Sequence, residues 1–405
     1  MKEVVLINIA GEDKPGLTAA ISAILAAHSV HILDIGQAVI HDNLALGILA
    51  EVSSFAADSP LVKALQGKAG ELGLSARLTP ISAHNYNDWV GQQGKPRHII
   101  TLLARKVSAQ QIARITSVVA AHDLNIDKIS RLSGRLPLGE LPQRSMACVE
   151  FSVRGTLTDP ASVRRQLLEL ANELDVDIAY QEDTMFRRNR RLVAFDMDST
   201  LIETEVIDEL AKAAGVGAEV AAITERAMQG ELDFKASFAQ RIALLKGLNA
   251  GVLEHVAANL PLTEGAERLI STLKRLGYRT AIISGGFEYF GHHLQQQLGI
   301  DYVFANQLEV KDDVITGQVQ GDIVDGERKA QLLCDLAQQE HISLEQVIAV
   351  GDGANDLPML GIAGLGIAFR AKPIVRQSAK HAISTLGLDG ILYLIGYSDS
   401  DDAYR

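Results

Sequence analysis

The chain has 405 residues, 47% of them hydrophobic, and carries 38 Lys and Arg against 50 Asp and Glu, a formal net charge of −12. That length permits two or three domains with buried cores, and that charge argues against broad binding to nucleic acid or other polyanions. The two cysteines, Cys148 and Cys334, lie far apart and favour a reduced cytoplasmic protein over a disulfide-stapled one, and no apolar run reaches the roughly 18 residues a membrane-spanning helix needs.

Val4 to Ala10 reads as a strand, Gly11 to Leu17 as a turn and Thr18 to His28 as a helix, with strand patterns again from Leu33 to Ile40 and from Leu44 to Val52. A fainter copy follows at an offset of 94 residues: Ala120-Ala121-His122 answers Ala26-Ala27-His28, Ile126 answers Ile32 and Ile129 answers Ile35. This reads as a tandem repeat of a strand-helix-strand-strand unit. Between the copies, Asn85 to Asp88 and Gly91 to Pro96 read as a linker, and Gly134 to Pro142 as a loop inserted in the second copy. The basic run Phe186 to Arg191 reads as a solvated linker before the next domain, and Ser398 to Asp402 as a frayed acidic tail.

Beyond residue 190, two short apolar runs, Arg191 to Phe195 and Gln346 to Val350, have the continuous hydrophobicity of buried parallel strands. Each is followed at once by acids: Asp196 and Asp198 in Asp-Met-Asp-Ser-Thr, and Asp352 and Asp356 in Gly-Asp-Gly-Ala-Asn-Asp. Carboxylates gathered at strand ends repel one another unless a hard cation such as Mg²⁺ sits among them, and the same cation bridges to phosphate. Between these motifs, Thr280 to Ile283 is a strand pattern ending in Ser284-Gly285-Gly286, where a hydroxyl and backbone N–H groups can approach phosphate oxygens. Lys329, at the start of a helical run, can add a compact positive charge. Each feature alone reads as an ordinary turn or surface residue; the four in order read as a phosphoryl-transfer site.

That order resembles the haloacid dehalogenase superfamily, and residues 190–395 are similar to its phosphoserine phosphatases, with no departure at a catalytic position. The resemblance implies a Rossmann-like α/β core at 190–398 with a small helical cap at about 203–265. It implies Asp196 as nucleophile, Asp198 as general acid and base, and Ser284, Gly285, Lys329 and Asn355 at the phosphoryl group. Mg²⁺ would be held by Asp196, the Asp198 backbone carbonyl and Asp352, with Asp356 in support. Glu205 would pair with a substrate ammonium and Arg241 with its carboxylate, while Met228 and Phe234 line the pocket; by sequence alone Glu205 and Arg241 read rather as solvated charges on amphipathic cap helices. The Asp13-Lys14-Pro15-Gly16-Leu17 turn resembles an ACT domain, which gives βαββαβ (ferredoxin-like) modules at 1–84 and 96–183. The second module lacks the Pro-Gly turn, carrying Arg105 to Ala109 instead. The expected substrate is L-phosphoserine, in the last step of serine biosynthesis, and the ACT resemblance implies a homodimer with a small amino acid, serine first, as effector. Another small phosphorylated amino acid as substrate, and an amino-acid-sensing scaffold, are the alternatives.

Overall fold

The computed structural model describes residues 3–53, 55–137, 139, 145–228 and 231–404, and no side chain at 228 or beyond 401. The Met228 side chain and residues 138 and 140–142 of the loop expected at 134–142 therefore lie outside what is described. The chain forms two compact units, Met1–Lys95 and Pro96–Arg405. Among the described residues no helix is long and apolar enough to cross a membrane, and Cys148 and Cys334 are both free.

In the first unit, β1 (Glu3–Glu12), β2 (His31–Ile40), β3 (Asn43–Val52) and β4 (Ser75–Ile81) form an antiparallel sheet in the order β2-β3-β1-β4. The alternation of β1 and β3 puts Val5, Ile7, Ile9, Leu44, Leu46 and Ile48 on one buried face. Helices Leu17–Ala27 and Pro60–Glu71 cover that face with Ile21, Leu25, Val62 and Leu65. Gly16, at φ 92°, makes the left-handed turn into the first helix. The expected linker at Asn85 to Asp88 is instead part of a helix, Ala83–Gly91, whose N-terminus is capped where the Ser82 hydroxyl accepts from Asn85 N at 3.1 Å. Tyr86 and Trp89 on this polar helix line a cavity of ≈ 420 Å³ together with Leu6 and Leu49 of the sheet.

The second unit opens with the same topology: β5 (Arg97–Ala104), β6 (Asn125–Arg131), β7 (Ala147–Arg154) and β8 (Asp177–Glu182) in the order β6-β7-β5-β8, with helices Ala109–Ala121 and Pro160–Leu174. The repeat extends to its irregularities. The pairing of β2 with β3 shifts between Ile32 and Asp34, and that of β6 with β7 between Ile126 and Lys128, at the same offset.

A seven-stranded sheet follows, built from β9 (Leu192–Phe195), β10 (Arg279–Phe287), β11 (Tyr302–Lys311), β12 (Val314–Gln320), β13 (Val347–Gly351), β14 (Leu365–Phe369) and β15 (His381–Ile383). Its order is β12-β11-β10-β9-β13-β14-β15, parallel except for β12. Every residue of the central β9 is buried. Helices Val206–Ala214, Gly217–Met228, Phe234–Ala243 and Gly251–Ala257 form an insert after β9, closed at its base by the bridge between Ile202 and Leu262.

The second repeat is joined to this core by buried polar contacts that local sequence does not announce. Arg187 has no exposed surface and pairs with Glu150; Arg190, 5% exposed, donates to the Arg187 carbonyl at 3.0 Å and to Gln181. The run expected to be a solvated linker is thus half buried, with Glu150 and Gln181 taking part of its guanidinium donors while Arg187 Nε and Arg190 Nε stay buried without a partner among the described residues. The acidic tail is likewise anchored: Asp399 accepts from Gly134 N at 2.6 Å, from Arg268 at 2.7 Å and from the Tyr393 hydroxyl at 2.9 Å. Asp177, buried on β8, accepts from Ser384 N at 2.7 Å, Thr385 N at 3.0 Å and the Thr385 hydroxyl at 2.7 Å. Asp177→Ala leaves those donors unpaired, and urea denaturation is expected to register a loss of roughly 1–3 kcal/mol. An unchanged transition would mean that this carboxylate does not hold the second repeat on the core.

Candidate active site

β9 and β13 are parallel neighbours with Phe195 opposite Val350, so the loops that begin at Asp196 and at Asp352 leave the sheet at the same edge. The Asp196 N–H donates to the Val350 carbonyl at 2.8 Å. Its Oδ1 accepts from Met197 N at 2.7 Å, and its Oδ2 lies 2.9 Å from Lys329 Nζ. Lys329 sits in the first turn of helix Gly326–Gln339, capped by Asp325, and has no exposed surface. Its ammonium also donates to Asp356 Oδ1 at 2.7 Å, and Asp356 Oδ2 accepts from Gly353 N at 2.9 Å. Asp352 accepts the Thr200 hydroxyl at 3.1 Å. Asp196, Asp352 and Asp356 each present an oxygen within 4.8 Å of the others.

The turn Met197–Leu201 reverses the chain, with Ser199 at φ 54°. It is tied to the insert by Asp198 Oδ1, which accepts from Val206 N at 3.1 Å, and by the Ser199 hydroxyl, which donates to Glu205 at 2.9 Å. On β10 the pairing with β11 breaks between Ile283 and Phe287, where Ser284-Gly285-Gly286 bulges towards Asp198. Asn306 fixes that bulge, donating to the Gly285 carbonyl at 2.8 Å while accepting from Val324 N at 2.9 Å. Side chains are excluded here. A Cβ on Gly286 would lie 2.5 Å from Asp198 Oδ2, and one on Gly285 would lie 3.0 Å from the Phe234 ring.

These elements enclose a cavity of ≈ 890 Å³ between the core and the insert. Asp196, Asp198, Ser284, Gly285, Asp352 and Asn355 line its core side, and Glu205, Phe234 and Arg241 its insert side. Lys329 and Asp356 lie beneath this floor, fully buried. Arg241 Nε is buried without a hydrogen-bond partner among the described residues, and so is the Ser237 hydroxyl beside it in the lining.

The electrostatics follow from five acids facing two cations. Burial, then the charges of Glu205 and Asp196, pushes the Asp198 carboxyl well above the usual carboxylate range. Burial and the neighbouring Asp196, Asp356 and Glu205 raise Asp352 to about 8. Burial and Asp196 raise Asp356 to about 6, against the opposing pull of Lys329. Burial alone would lower Lys329, but Asp196 and Asp356 outweigh it and raise it. Burial lowers Arg241, opposed by Glu205, Asp208 and Asp198. The excess of negative charge and the all-oxygen donor set fit a hard divalent cation.

The haloacid dehalogenase-like hydrolase family matches residues 193–361, and ACT domain families match residues 3–79 and 96–181. The chain is 42% identical over 391 residues to the phosphoserine phosphatase of Streptomyces coelicolor, covering 96% of this chain and 92% of that one. The chain belongs to the phosphoserine phosphatase family. The phosphoserine phosphatase of Mycobacterium tuberculosis is 40% identical over 397 residues, covering 97% of this chain and 93% of its own. Among solved structures, the probable phosphoserine phosphatase of Vibrio cholerae in unliganded form superposes with a TM-score of 0.59 at 33% identity, over 78% of this chain and 90% of that one. A haloacid dehalogenase family hydrolase of Salmonella enterica serovar Typhi gives 0.64 at 34% identity, over 74% and 98%. Like other phosphoserine phosphatases, this chain is therefore a hydrolase of α/β class, with two ferredoxin-like ACT domains preceding its catalytic core.

Sequence reasoning about this phosphoserine phosphatase family member passed over Thr200, Asn306 and Asp325. Thr200 was visible as the last residue of Asp-x-Asp-x-Thr. Asn306 carried no motif, and only its polarity within an otherwise mostly apolar strand pattern could have marked it. Asp325 caps the Lys329 helix and is 2.9 Å from Lys235 of the insert, so it links the two walls of the cavity.

Proposed function

We propose that the chain hydrolyses L-phosphoserine to L-serine and phosphate through a phosphoaspartyl intermediate on Asp196, the last step of serine biosynthesis. The carrying observation is that one cavity has Asp196 at its floor, paired with Lys329 beneath it, and Glu205 with Arg241, whose Nε is unpartnered, at its far side. A phosphorylated amino acid has that charge order: a phosphate dianion at one end, an ammonium and a carboxylate at the other.

An Asp196 carboxylate oxygen attacks phosphorus as the phosphorus–serine oxygen bond breaks, and the departing oxygen takes the proton held by Asp198. Water then attacks the phosphoaspartate, gives its proton to Asp198, and releases phosphate and the Asp196 carboxylate. Burial keeps the Asp198 carboxyl protonated for the first step. Lys329, Ser284 and the Gly285 and Asn355 region neutralise and orient the phosphoryl oxygens. Asp196, the Asp198 backbone carbonyl and Asp352 would hold Mg²⁺, with Asp356 in support; when bound it supplies positive charge that offsets repulsion between the carboxylate and the phosphate. Glu205 takes the substrate ammonium and Arg241 the carboxylate.

Phosphate release compared across L-phosphoserine, phosphothreonine and phosphohomoserine tests this reading, since failure on the first with turnover of another would reassign the substrate. Arg241→Ala sharpens it. kcat/KM for phosphoserine is expected to fall roughly 10²-fold, because a buried carboxylate loses its partner, while an aryl phosphate without that carboxylate is little affected. Equal losses on both would point to a disturbed insert.

The ACT domains support an amino-acid effector, with serine the first candidate. The edge strand β2, which exposes Ile35 and Ile40, is the surface we assign to pairing in a homodimer. Two free cysteines accord with the cytoplasm as its location.

A further inference from the structure

A second cavity, of ≈ 440 Å³, lies where helix Pro160–Leu174 of the second ACT domain meets β15 and helix Pro373–Ser378 of the core. Its walls carry Arg164, Arg165, Arg376 and Lys380 against a single acid, Glu169. Arg376 reaches the Ser384 hydroxyl at 3.4 Å, but none of the four cations has a carboxylate at ion-pair distance among the described residues. Two polar atoms here are buried and lack partners: Arg164 Nε and Nδ1 of His381, a residue only 8% exposed. Unpaired buried polar groups are costly, and four cations around one recess repel one another until an anion enters. Burial, and after it the charges of Arg164, Arg190 and Lys380, lower His381 to about 3.

The remaining wall is apolar, formed by Leu167, Leu168 and Ile178. A recess of this volume with one charged and one apolar side suits a small organic ligand better than a bare ion. It is distinct from the catalytic cavity, although helix Pro373–Ser378 serves both: Ile374 and Val375 line the catalytic cavity, and Arg376 and Gln377 line this one.

We propose that this cavity is a binding site for a small phosphate-bearing metabolite, its phosphate held by Arg164, Arg376 and Lys380 beside His381 and its carbon skeleton against Leu167 and Ile178. The site joins the second ACT domain to the catalytic core, so its ligand acts on the enzyme without entering the catalytic cavity.

The test is an NMR titration of the full chain carrying ¹⁵N-histidine, with EDTA present to prevent turnover. His381 is assigned by the signal missing in His381→Asn, and the probes are inorganic phosphate and ribose 5-phosphate. A saturable shift of the His381 ring is expected with either probe. Tighter binding of ribose 5-phosphate identifies an organic phosphate as ligand, and equal binding identifies the phosphate group alone. In Arg164→Gln/Lys380→Gln the affinity read at His381 is expected to fall at least about tenfold, with phosphoserine hydrolysis within about twofold of wild type when no anion is added. A response that originates in the catalytic cavity would survive in this variant at unchanged affinity, and that result overturns the proposal. So does the absence of a saturable His381 response in the wild type, which stands whether or not the variant folds.

Discussion

Asp196→Asn is expected to remove phosphate release almost entirely, by about 10⁴-fold or more, while leaving a folded protein. The amide keeps an oxygen to accept the Met197 N–H, and Lys329 keeps Asp356 as its partner, so the local geometry has no reason to collapse. The substitution also removes one of the charges that raise Asp198, Asp352 and Asp356. A melting temperature near the wild type's, with turnover at background, is therefore the expected pair of results. Appreciable turnover would take the nucleophile's role away from Asp196, and a large fall in melting temperature would make the activity loss uninterpretable.

Lys329→Ala is expected to act on both chemistry and stability. Loss of a buried positive charge at the phosphoryl oxygens should reduce kcat by roughly 10²–10³-fold. Loss of the ammonium 2.7 Å from Asp356 and 2.9 Å from Asp196 leaves two carboxylates without that partner, a change that typically costs about 3–5 kcal/mol in buried pairs. The deficit should depend on pH. Asp356 already stands at about 6, above its unfolded value, and without Lys329 it rises further. The folded state then holds a proton that the unfolded state has released, so stability falls as pH rises. Melting curves in EDTA should show the gap between variant and wild type widening from pH 5 to pH 8. A gap that narrows over that range would mean that Lys329 is not compensating these carboxylates.

The legible parts of this molecule were those where the chemistry is local. The β9 and β13 strands announced themselves because a strand buried on both faces is apolar throughout, and the acids that follow stood out against that background. The duplication was readable from Ala26-Ala27-His28 and its echo at Ala120-Ala121-His122, since a repeated fold repeats its spacing. What sequence concealed was the burial of charge. Arg187 looks like any linker arginine until Glu150, 37 residues earlier, is placed beside it. Asp399 looks like a loose end until Arg268 and Tyr393 close around it. Helix Ala83–Gly91 is polar enough to read as loop, and it has a serine cap but no buried apolar stripe. Asn306 is concealed for a related reason. Its role is to hold together the backbone at Gly285 and at Val324, which lie 21 residues before it and 18 after it, and that need exists only after folding.

The backbone at Gly286 comes so close to Asp198 that no side chain fits between them. The Gly286 backbone forms part of the wall against which the carboxyl is buried, and burial is the largest influence holding its proton. The acidity of one residue thus depends in part on the missing atoms of another, since a side chain at 286 could not share this space. A glycine with no functional group of its own thereby belongs to the environment of the acid, beside Glu205 and Asp196, whose charges raise it further.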